Sequence, residues 1–242
     1  MNKHRIIRLR QTTVKRVFAK ETQCIADMQS GEVEQCLLLW QTAEPTLVLP
    51  GSNKWQQTEA LTTCLQQQGW QIISRRTGGA PVPQTQGIIN VSHLYLWPKN
   101  RKYSITLAYQ DFCRILSNFF LDYGINTQIQ ATPGSYCDGD FNLNINQKKV
   151  VGTAQRVILK QGGDKIILAQ ACILINVDIS ELLVPLHTCY EFNHSQERFS
   201  ADVHSSLFEH IQLRPTTDQL YQKISQAFIN HSASLQRIES LK

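Results

Sequence analysis

The sequence of residues 134–156 is Gly-Ser-Tyr-Cys-Asp-Gly-Asp-Phe-Asn-Leu-Asn-Ile-Asn-Gln-Lys-Lys-Val-Val-Gly-Thr-Ala-Gln-Arg, and it decides the fold around it. Asn142 to Ile145 alternate polar and apolar side chains, which is the period of a half-buried strand. Asn146-Gln147-Lys148 supply turn residues, and a β-branched run begins at Val150. We therefore predict a hairpin, preceded by a glycine-flanked loop that presents the thiol of Cys137 at the mouth of a strand.

Length and composition limit the classes of protein to which the chain can belong. Its 242 residues, 42% of them hydrophobic, are enough for one large domain, and we predict a single domain over 1–242 with its core at about 15–210. No apolar run approaches the ~20 residues that span a bilayer, and the basic N-terminus lacks the apolar segment of a signal peptide. The net charge of +5 is mild, and no basic stripe with interleaved aromatic residues occurs, so neither a membrane nor a nucleic acid is expected as a partner.

Seven cysteines are scattered along the chain, an odd number with no Cys-x-x-Cys pair. This pattern indicates neither a disulfide framework nor a zinc site, so no metal is predicted. It is typical of a protein of the reducing cytosol whose thiols are mostly small buried side chains, and we expect a cytoplasmic location. Cys137 is the main candidate for chemistry, and Cys189, close to Tyr190 and Asn193, is its rival.

Hydrophobic periodicity predicts hairpins in the middle of the chain and helices around them. The clearest helix runs from Ile105 to Tyr123, with Ser104 as its N-cap and Gly124 at its end. The result is an α+β domain with a mixed, largely antiparallel sheet flanked by helices. The predicted helices cover 17–28, 57–69, 105–123, 178–184, 194–211 and 217–241, and the predicted strands cover 36–40, 46–49, 70–74, 87–97, 127–130, 142–145, 149–160 and 165–176.

The loop at residues 75–83, Arg-Arg-Thr-Gly-Gly-Ala-Pro-Val-Pro, allows two interpretations. Adjacent glycines let backbone N–H groups approach a carboxylate or phosphate closely, and the two arginines could bind an anion. A plain connection with a solvated arginine pair explains the same residues. The glycine spacing alone favours this second interpretation, because it is a weaker sign of anion binding than the P-loop pattern.

Three segments taken together resemble the lipoate/octanoate protein ligase and transferase family, within the biotin/lipoate ligase superfamily. Residues 75–82 and 87–92 look like the family's arginine- and glycine-rich acyl-binding loop and the strand after it. Residues 149–154, Lys-Val-Val-Gly-Thr-Ala, are similar to the family's Lys-[Ile/Val]-x-Gly-[Ser/Thr]-Ala motif, whose lysine contacts the acyl carbonyl. Residues 134–139 resemble the loop that carries the nucleophile in cysteine-dependent octanoyl and lipoyl transferases. The resemblance covers about residues 15–210.

The resemblance implies a fold like that of the biotin/lipoate protein ligase catalytic domain and an acyl transfer in two steps. Cys137 would take an octanoyl or lipoyl group from a thioester donor such as an acyl carrier, and Lys149 would assist as a cation or a proton carrier. The acceptor would be a lysine of a lipoyl-type domain, such as glycine cleavage H protein or a dehydrogenase E2 lipoyl domain, and no cofactor is implied. The residues implied to bind substrate are Arg75, Arg76, Thr77, Gly78, Gly79, Ala80, Asn90, Gly152, Thr153 and Ala154.

Two other functions stay open at this point. Many ATP-using ligases of the family carry a third glycine, an Ala-Val pair and His-Asp in the first loop, where this chain has Ala80, Pro81, Gln84 and Thr85. These departures favour transfer without ATP over a ligase that uses ATP and Mg to make an acyl-adenylate. The same departures are consistent with a non-catalytic protein that binds an acyl group or a carrier domain.

The hairpin sets a geometric condition on this chemistry. If Asn146-Gln147 is a two-residue turn, Lys149 lies opposite Asn144 in the ladder. Cys137 would then be about 23 Å from that position in a fully extended chain. The loop must therefore fold back over the sheet, which Gly134 and Gly139 make possible.

Overall fold

The computed structural model describes residues 3–75 and 79–240. Within these ranges the chain forms ten strands and five α-helices. The strands are β1 (His4–Thr12), β2 (Gln35–Thr42), β3 (Thr46–Leu49), β4 (Gln71–Ser74), β5 (Val82–Gln84), β6 (Ile88–Leu96), β7 (Gln128–Ile129), β8 (Leu143–Ile145), β9 (Lys148–Leu159) and β10 (Lys165–Leu174). The helices are α1 (Val14–Ser30), α2 (Glu59–Gln67), α3 (Ile105–Leu121), α4 (Ile179–Phe192) and α5 (Thr217–Ser240).

The strands build one large and one small sheet. The large sheet has the order β1-β2-β6-β10-β9-β8-β7, and only the β1/β2 pair in it is parallel among the described strands. The small sheet has the order β4-β3-β5, with one parallel and one antiparallel pair. The prediction of an α+β domain with a mixed, largely antiparallel sheet is confirmed.

Alternating side chains along β2 show how helices cover both faces of the large sheet. Leu37 and Leu39 pack into the cluster formed with α3 and α5, whereas Leu38 and Trp40 pack into the cluster formed with α1. A third cluster joins α2 and α4 to the small sheet. The Cys137 loop packs against this third cluster.

The predicted hairpin register is confirmed. Asn144 pairs with Lys149, and Asn146 and Gln147 have φ values of 49° and 64°. Two consecutive left-handed residues match the right-handed twist of the strands they connect. Ser104 caps α3 as predicted, because its side chain accepts a hydrogen bond from the Leu107 N–H.

Two helix predictions after β10 are wrong. The helix predicted at 178–184 does not stop at Pro185 but continues to Phe192. Proline leaves the Glu181 carbonyl without its helical partner, but Glu181 is exposed, and the buried leucines around Pro185 stabilise the helix. The helix predicted at 194–211 does not form; two short 3₁₀ turns, Ala201–Val203 and Leu207–Glu209, replace it.

The sequence interpretation missed two strands. β1 is rich in arginine and pairs in parallel with β2, whose residues are distant in sequence. β5 overlaps the end of the segment interpreted as a glycine- and proline-rich loop and pairs with β3. No helix in the part of the chain that the structure describes is both long and apolar enough to cross a membrane.

Candidate active site

The loop that carries Cys137 folds back over the large sheet, as the hairpin geometry requires. The Lys149 amine donates hydrogen bonds to the carbonyl oxygens of Tyr136, at 2.5 Å, and Cys137, at 3.0 Å. The same Nζ lies 4.5 Å from the centroid of the Tyr136 ring. The lysine of the motif and the backbone of the cysteine loop are therefore in direct contact.

Hydrogen bonds from side chains fix the folded-back loop. The Asp138 carboxylate accepts a bond from the Thr132 N–H at 2.5 Å, and the Asn142 amide donates to the Cys137 carbonyl at 3.5 Å. The Thr153 hydroxyl donates to the Phe141 carbonyl at 2.7 Å, which gives this predicted substrate-binding residue a role in holding the loop. The loop is thus positioned from both of its ends.

Lys149 is buried without a carboxylate partner among the described residues, with 1% of its surface exposed. Burial lowers the pKa of Lys149, and negative charge on Cys137, Cys172 or Asp138 opposes the shift. An ammonium group has three donors, and the two carbonyls use two of them. The third N–H and the lowered pKa suit a group that stabilises an anion or exchanges a proton beside the thiol.

Gly152 gives the Lys149 side chain its room. A Cβ built on Gly152 would lie 3.2 Å from Cε and 3.4 Å from Nζ of Lys149. We expect Gly152→Ala to push the pinned amine by a few tenths of an ångström and to slow the acyl transfer that the family resemblance implies roughly tenfold, measured by single-turnover kinetics. Gly139→Ala is the matched control, because its added methyl meets nothing within 4 Å. Equal rates for the two variants would contradict this role.

Cys137 has a φ of 49°, in the left-handed region that favours glycine. A side chain in this conformation costs roughly 1–2 kcal/mol. We therefore expect Cys137→Gly to be more stable than Cys137→Ala by about 1 kcal/mol, measured by urea unfolding. Equal stabilities of the two variants would show that the loop relaxes this strain.

A narrow cleft lies beside this loop. Apolar side chains, including Phe18, Trp40, Val48, Val82 and Val91, form part of its wall and suit a short acyl chain. Seven of the predicted site residues line it: Arg75, Asn90, Cys137, Lys149, Gly152, Thr153 and Ala154.

The other predicted substrate-binding residues are placed differently. Arg76, Thr77 and Gly78 lie outside the described residues. Gly79 and Ala80 are not among the residues that line the cleft. Ala80 contributes by its backbone, because its carbonyl accepts a hydrogen bond from the Arg75 guanidinium at 3.1 Å.

Sequence reasoning missed His204, which supports the site from behind. Its ring stacks on Tyr136, with 5.1 Å between centroids and 14° between planes, and its Nδ1 lies 2.8 Å from the Ser200 carbonyl oxygen. The segment before Ser205 also runs beside β9, where the Ser205 N–H donates to the Lys149 carbonyl. Only the path of a distant segment brings these groups together, so no local pattern could have identified them.

His204 should make stability depend on pH. Burial, and then the Lys149 charge, lower the pKa of His204 from 6.5 to about 4. Between these values the unfolded chain binds a proton that the folded chain excludes, so stability falls as the pH falls. At pH 5 the loss is about 2 kcal/mol. Between pH 7 and pH 5, the free energy of unfolding of His204→Phe, which keeps a stacking ring, should fall by about 2 kcal/mol less than that of the wild type. Urea unfolding at the two pH values measures this difference, and equal losses would contradict the assignment.

Most of the chain matches the model of a known protein family. The model of the lipoyl protein ligase A/B catalytic domain matches residues 14–229 of the chain. The chain belongs to this family. The resemblance inferred from the arginine–glycine loop, the cysteine loop and the lysine motif is therefore confirmed at the level of the family.

Two curated relatives of this family member are acyltransferases by name. An octanoyl-[GcvH]:protein N-octanoyltransferase of Anoxybacillus flavithermus is 29% identical over 163 residues, which are 67% of this chain and 56% of that protein. A lipoyl-[GcvH]:protein N-lipoyltransferase of Listeria monocytogenes is 30% identical over 105 residues, 43% of this chain and 37% of that protein. The chain therefore spans little more than half the length of the first of these relatives, at 56%, and a smaller share of the second.

A solved structure shows the same fold. It is the archaeal lipoylation system of Thermoplasma acidophilum, a bi-partite lipoate protein ligase and its E2 lipoyl domain. It matches with a TM-score of 0.66 and 16% identity, over 96% of this chain and 84% of the matching chain. The likeness confirms the expected lipoate protein ligase catalytic fold.

Cys189, the rival thiol in this family member, lies elsewhere. It is buried in α4, and burial raises the pKa of its thiol to about 12, although the Asn193 amide opposes the shift. It does not line the cleft. A thiol that is buried and protonated in an apolar setting is a poor nucleophile, which leaves Cys137 as the candidate.

Proposed function

We propose that this family member transfers an octanoyl or lipoyl group from a thioester donor to a lysine of a lipoyl-type domain, through an acyl-enzyme on Cys137. The observation that carries the proposal is the contact of the Lys149 amine with the carbonyls of Tyr136 and Cys137 beside the cleft. The names of the transferases it resembles support the same chemistry.

The first step exchanges one thioester for another. The Cys137 thiolate attacks the donor carbonyl carbon, a C–S bond to Cys137 forms, and the donor's own C–S bond breaks. The leaving sulfur takes up the proton that Cys137 lost, so the donor departs as a thiol. The Lys149 cation attracts the negative charge of the attacking sulfur. Because two thioesters are similar in energy, no nucleotide has to drive this step.

The second step transfers the acyl group to an amine. A neutral lysine amine of the acceptor domain attacks the acyl-enzyme, an amide bond forms, and the C–S bond to Cys137 breaks. The acceptor nitrogen loses a proton as the Cys137 sulfur regains one, and Lys149 lies where it can pass that proton between them. We propose no metal or nucleotide for either step.

Intact-mass measurement tests this function. The protein is mixed with an octanoyl acyl carrier without ATP, and we expect a mass increase of one octanoyl group that disappears when an unmodified lipoyl domain is added. The domain should then carry that group on a lysine. Acylation of the domain that strictly requires ATP and Mg, with release of pyrophosphate, would contradict the transferase proposal in favour of a ligase.

A further inference from the structure

Three polar side chains from three different strands meet at the cleft. Gln84 comes from β5, Asn90 from β6 and Cys172 from β10, and all three line the cleft. Gln84 is 3% exposed and Asn90 is 2% exposed. In the large sheet, Cys172 lies between Asn90 on one neighbouring strand and Gly152 on the other.

These three groups close a ring of hydrogen bonds. The Asn90 amide donates to the Gln84 oxygen at 2.7 Å, the Gln84 amide donates to the Cys172 sulfur at 3.2 Å, and the Cys172 thiol donates to the Asn90 oxygen at 3.0 Å. The ring also closes if both amides are turned over, because a thiol can donate and accept. In both arrangements, one N–H of Gln84 and one N–H of Asn90 are not used by the ring.

Each amide in the ring has one N–H left over. A side-chain amide carries two protons on nitrogen, and the ring uses one from Gln84 and one from Asn90. No other described residue accepts a hydrogen bond from either nitrogen. Buried donors normally have partners, so two spare donors at the wall of a substrate cleft point to an acceptor atom on the ligand.

The proposed reaction supplies such an acceptor. The carbonyl oxygen of the acyl group accepts hydrogen bonds in the thioester and gains negative charge in the tetrahedral intermediate of each step. Fixed donors that face this oxygen stabilise the charge without reorganising.

We propose that the spare N–H groups of Gln84 and Asn90 bind the acyl carbonyl oxygen and the oxyanion formed from it, and that Cys172 is a positioning residue that orients both amides. This inference rests on the proposed function. Burial raises the pKa of the Cys172 thiol, opposed by the Gln84 bond and the Arg75 charge, which keeps on the sulfur the proton that it donates. Cys172 thus acts through Asn90 and Gln84 rather than as a second nucleophile.

The test uses an octanoyl carrier labelled with ¹³C at the carbonyl. We expect Asn90→Asp, which replaces a donor with an acceptor of the same shape, to lower the rate constant of Cys137 acylation roughly 100-fold. The infrared carbonyl band of the octanoyl-enzyme should move to higher frequency as its hydrogen bond is lost. Gln84→Glu is the second variant if Asn90→Asp does not fold.

The role of Cys172 has its own variants. Cys172→Ala should lower the acylation rate constant more than it raises the KM for the donor, and Cys172→Ser, which restores a donor and an acceptor, should recover most of the loss. Cys64→Ala, which removes a thiol outside the cleft, is the control. Unchanged rates and an unshifted carbonyl band in Asn90→Asp, or equal loss in Cys172→Ala and Cys172→Ser, would overturn the inference. Failure of the wild type to form any octanoyl-enzyme would instead overturn the proposed function, and this inference with it.

Discussion

Cys137→Ala should form no acyl-enzyme and should transfer the octanoyl group to a lipoyl domain at least about 1,000-fold more slowly than the wild type. Alanine has no atom that can form the C–S bond, and removal of a covalent nucleophile commonly costs this much or more. Intact mass after mixing with octanoyl carrier gives the first result, and single-turnover transfer to the domain gives the second. The backbone should keep its conformation, because alanine tolerates the same φ as cysteine.

Cys137→Ser separates the nucleophile from the shape of the side chain. A hydroxyl has a much higher pKa than a thiol, so the Lys149 charge cannot make it a useful nucleophile, and we expect only traces of the octanoyl ester. Cys64→Ala should acylate as the wild type does, since that thiol does not line the cleft. A wild-type rate of transfer in Cys137→Ala would remove the covalent mechanism altogether.

The parts of the fold that the sequence predicts well are those that short-range patterns specify. α3 has apolar residues at helical spacing and a serine cap, and the hairpin has a two-residue turn between alternating strands. In both cases the residues that specify the element also stabilise it. The α+β class followed from such elements without knowledge of how they pack.

β1 and the region after α4 could not be predicted in the same way. Arg8 of β1 reaches Ser225, and the Tyr221 hydroxyl reaches the Leu9 carbonyl, both across more than 200 residues. An arginine-rich strand is stable here because α5 covers it, and no local pattern shows that. In the segment after α4, His194 has a φ of 54°, and Ser200 and Ser206 each begin a short turn, which ends the helical pattern that the apolar spacing suggested.

The same distinction between local patterns and tertiary contacts holds for the residues of the candidate site. Cys137 and Lys149 were found from the resemblance of two motifs, and the structure places both at one cleft. Tyr136 and His204 contribute through the folded-back loop and the segment at 201–206, which only the tertiary structure brings together. The position of Cys172 opposite Gly152 could have been predicted, because the turn at Gly162-Gly163 fixes the register of the two strands. Among seven scattered cysteines, however, no pattern distinguishes Cys172 from the others.

Lys149→Met should lower the rate of acylation roughly 100- to 1,000-fold. Methionine fills similar space but gives neither a charge to stabilise the thiolate nor a proton to exchange, and each of these contributions is commonly worth that much. Lys148→Met is the matched control, because Lys148 precedes it on the same strand and is exposed. Single-turnover acylation and thermal unfolding, measured on both variants, separate a loss of chemistry from a loss of loop structure.

Lys149→Arg distinguishes the two possible roles of the amine. Arginine keeps the charge but does not release its proton at any working pH, so it can stabilise a thiolate but cannot act as a base. If Lys149 carries protons, Lys149→Arg slows the second step more than the first; if it acts only as a charge, Lys149→Arg slows both steps by a similar factor. A Lys149→Met variant that acylates like Lys148→Met would show that neither role exists and that the contact with the cysteine loop is purely structural.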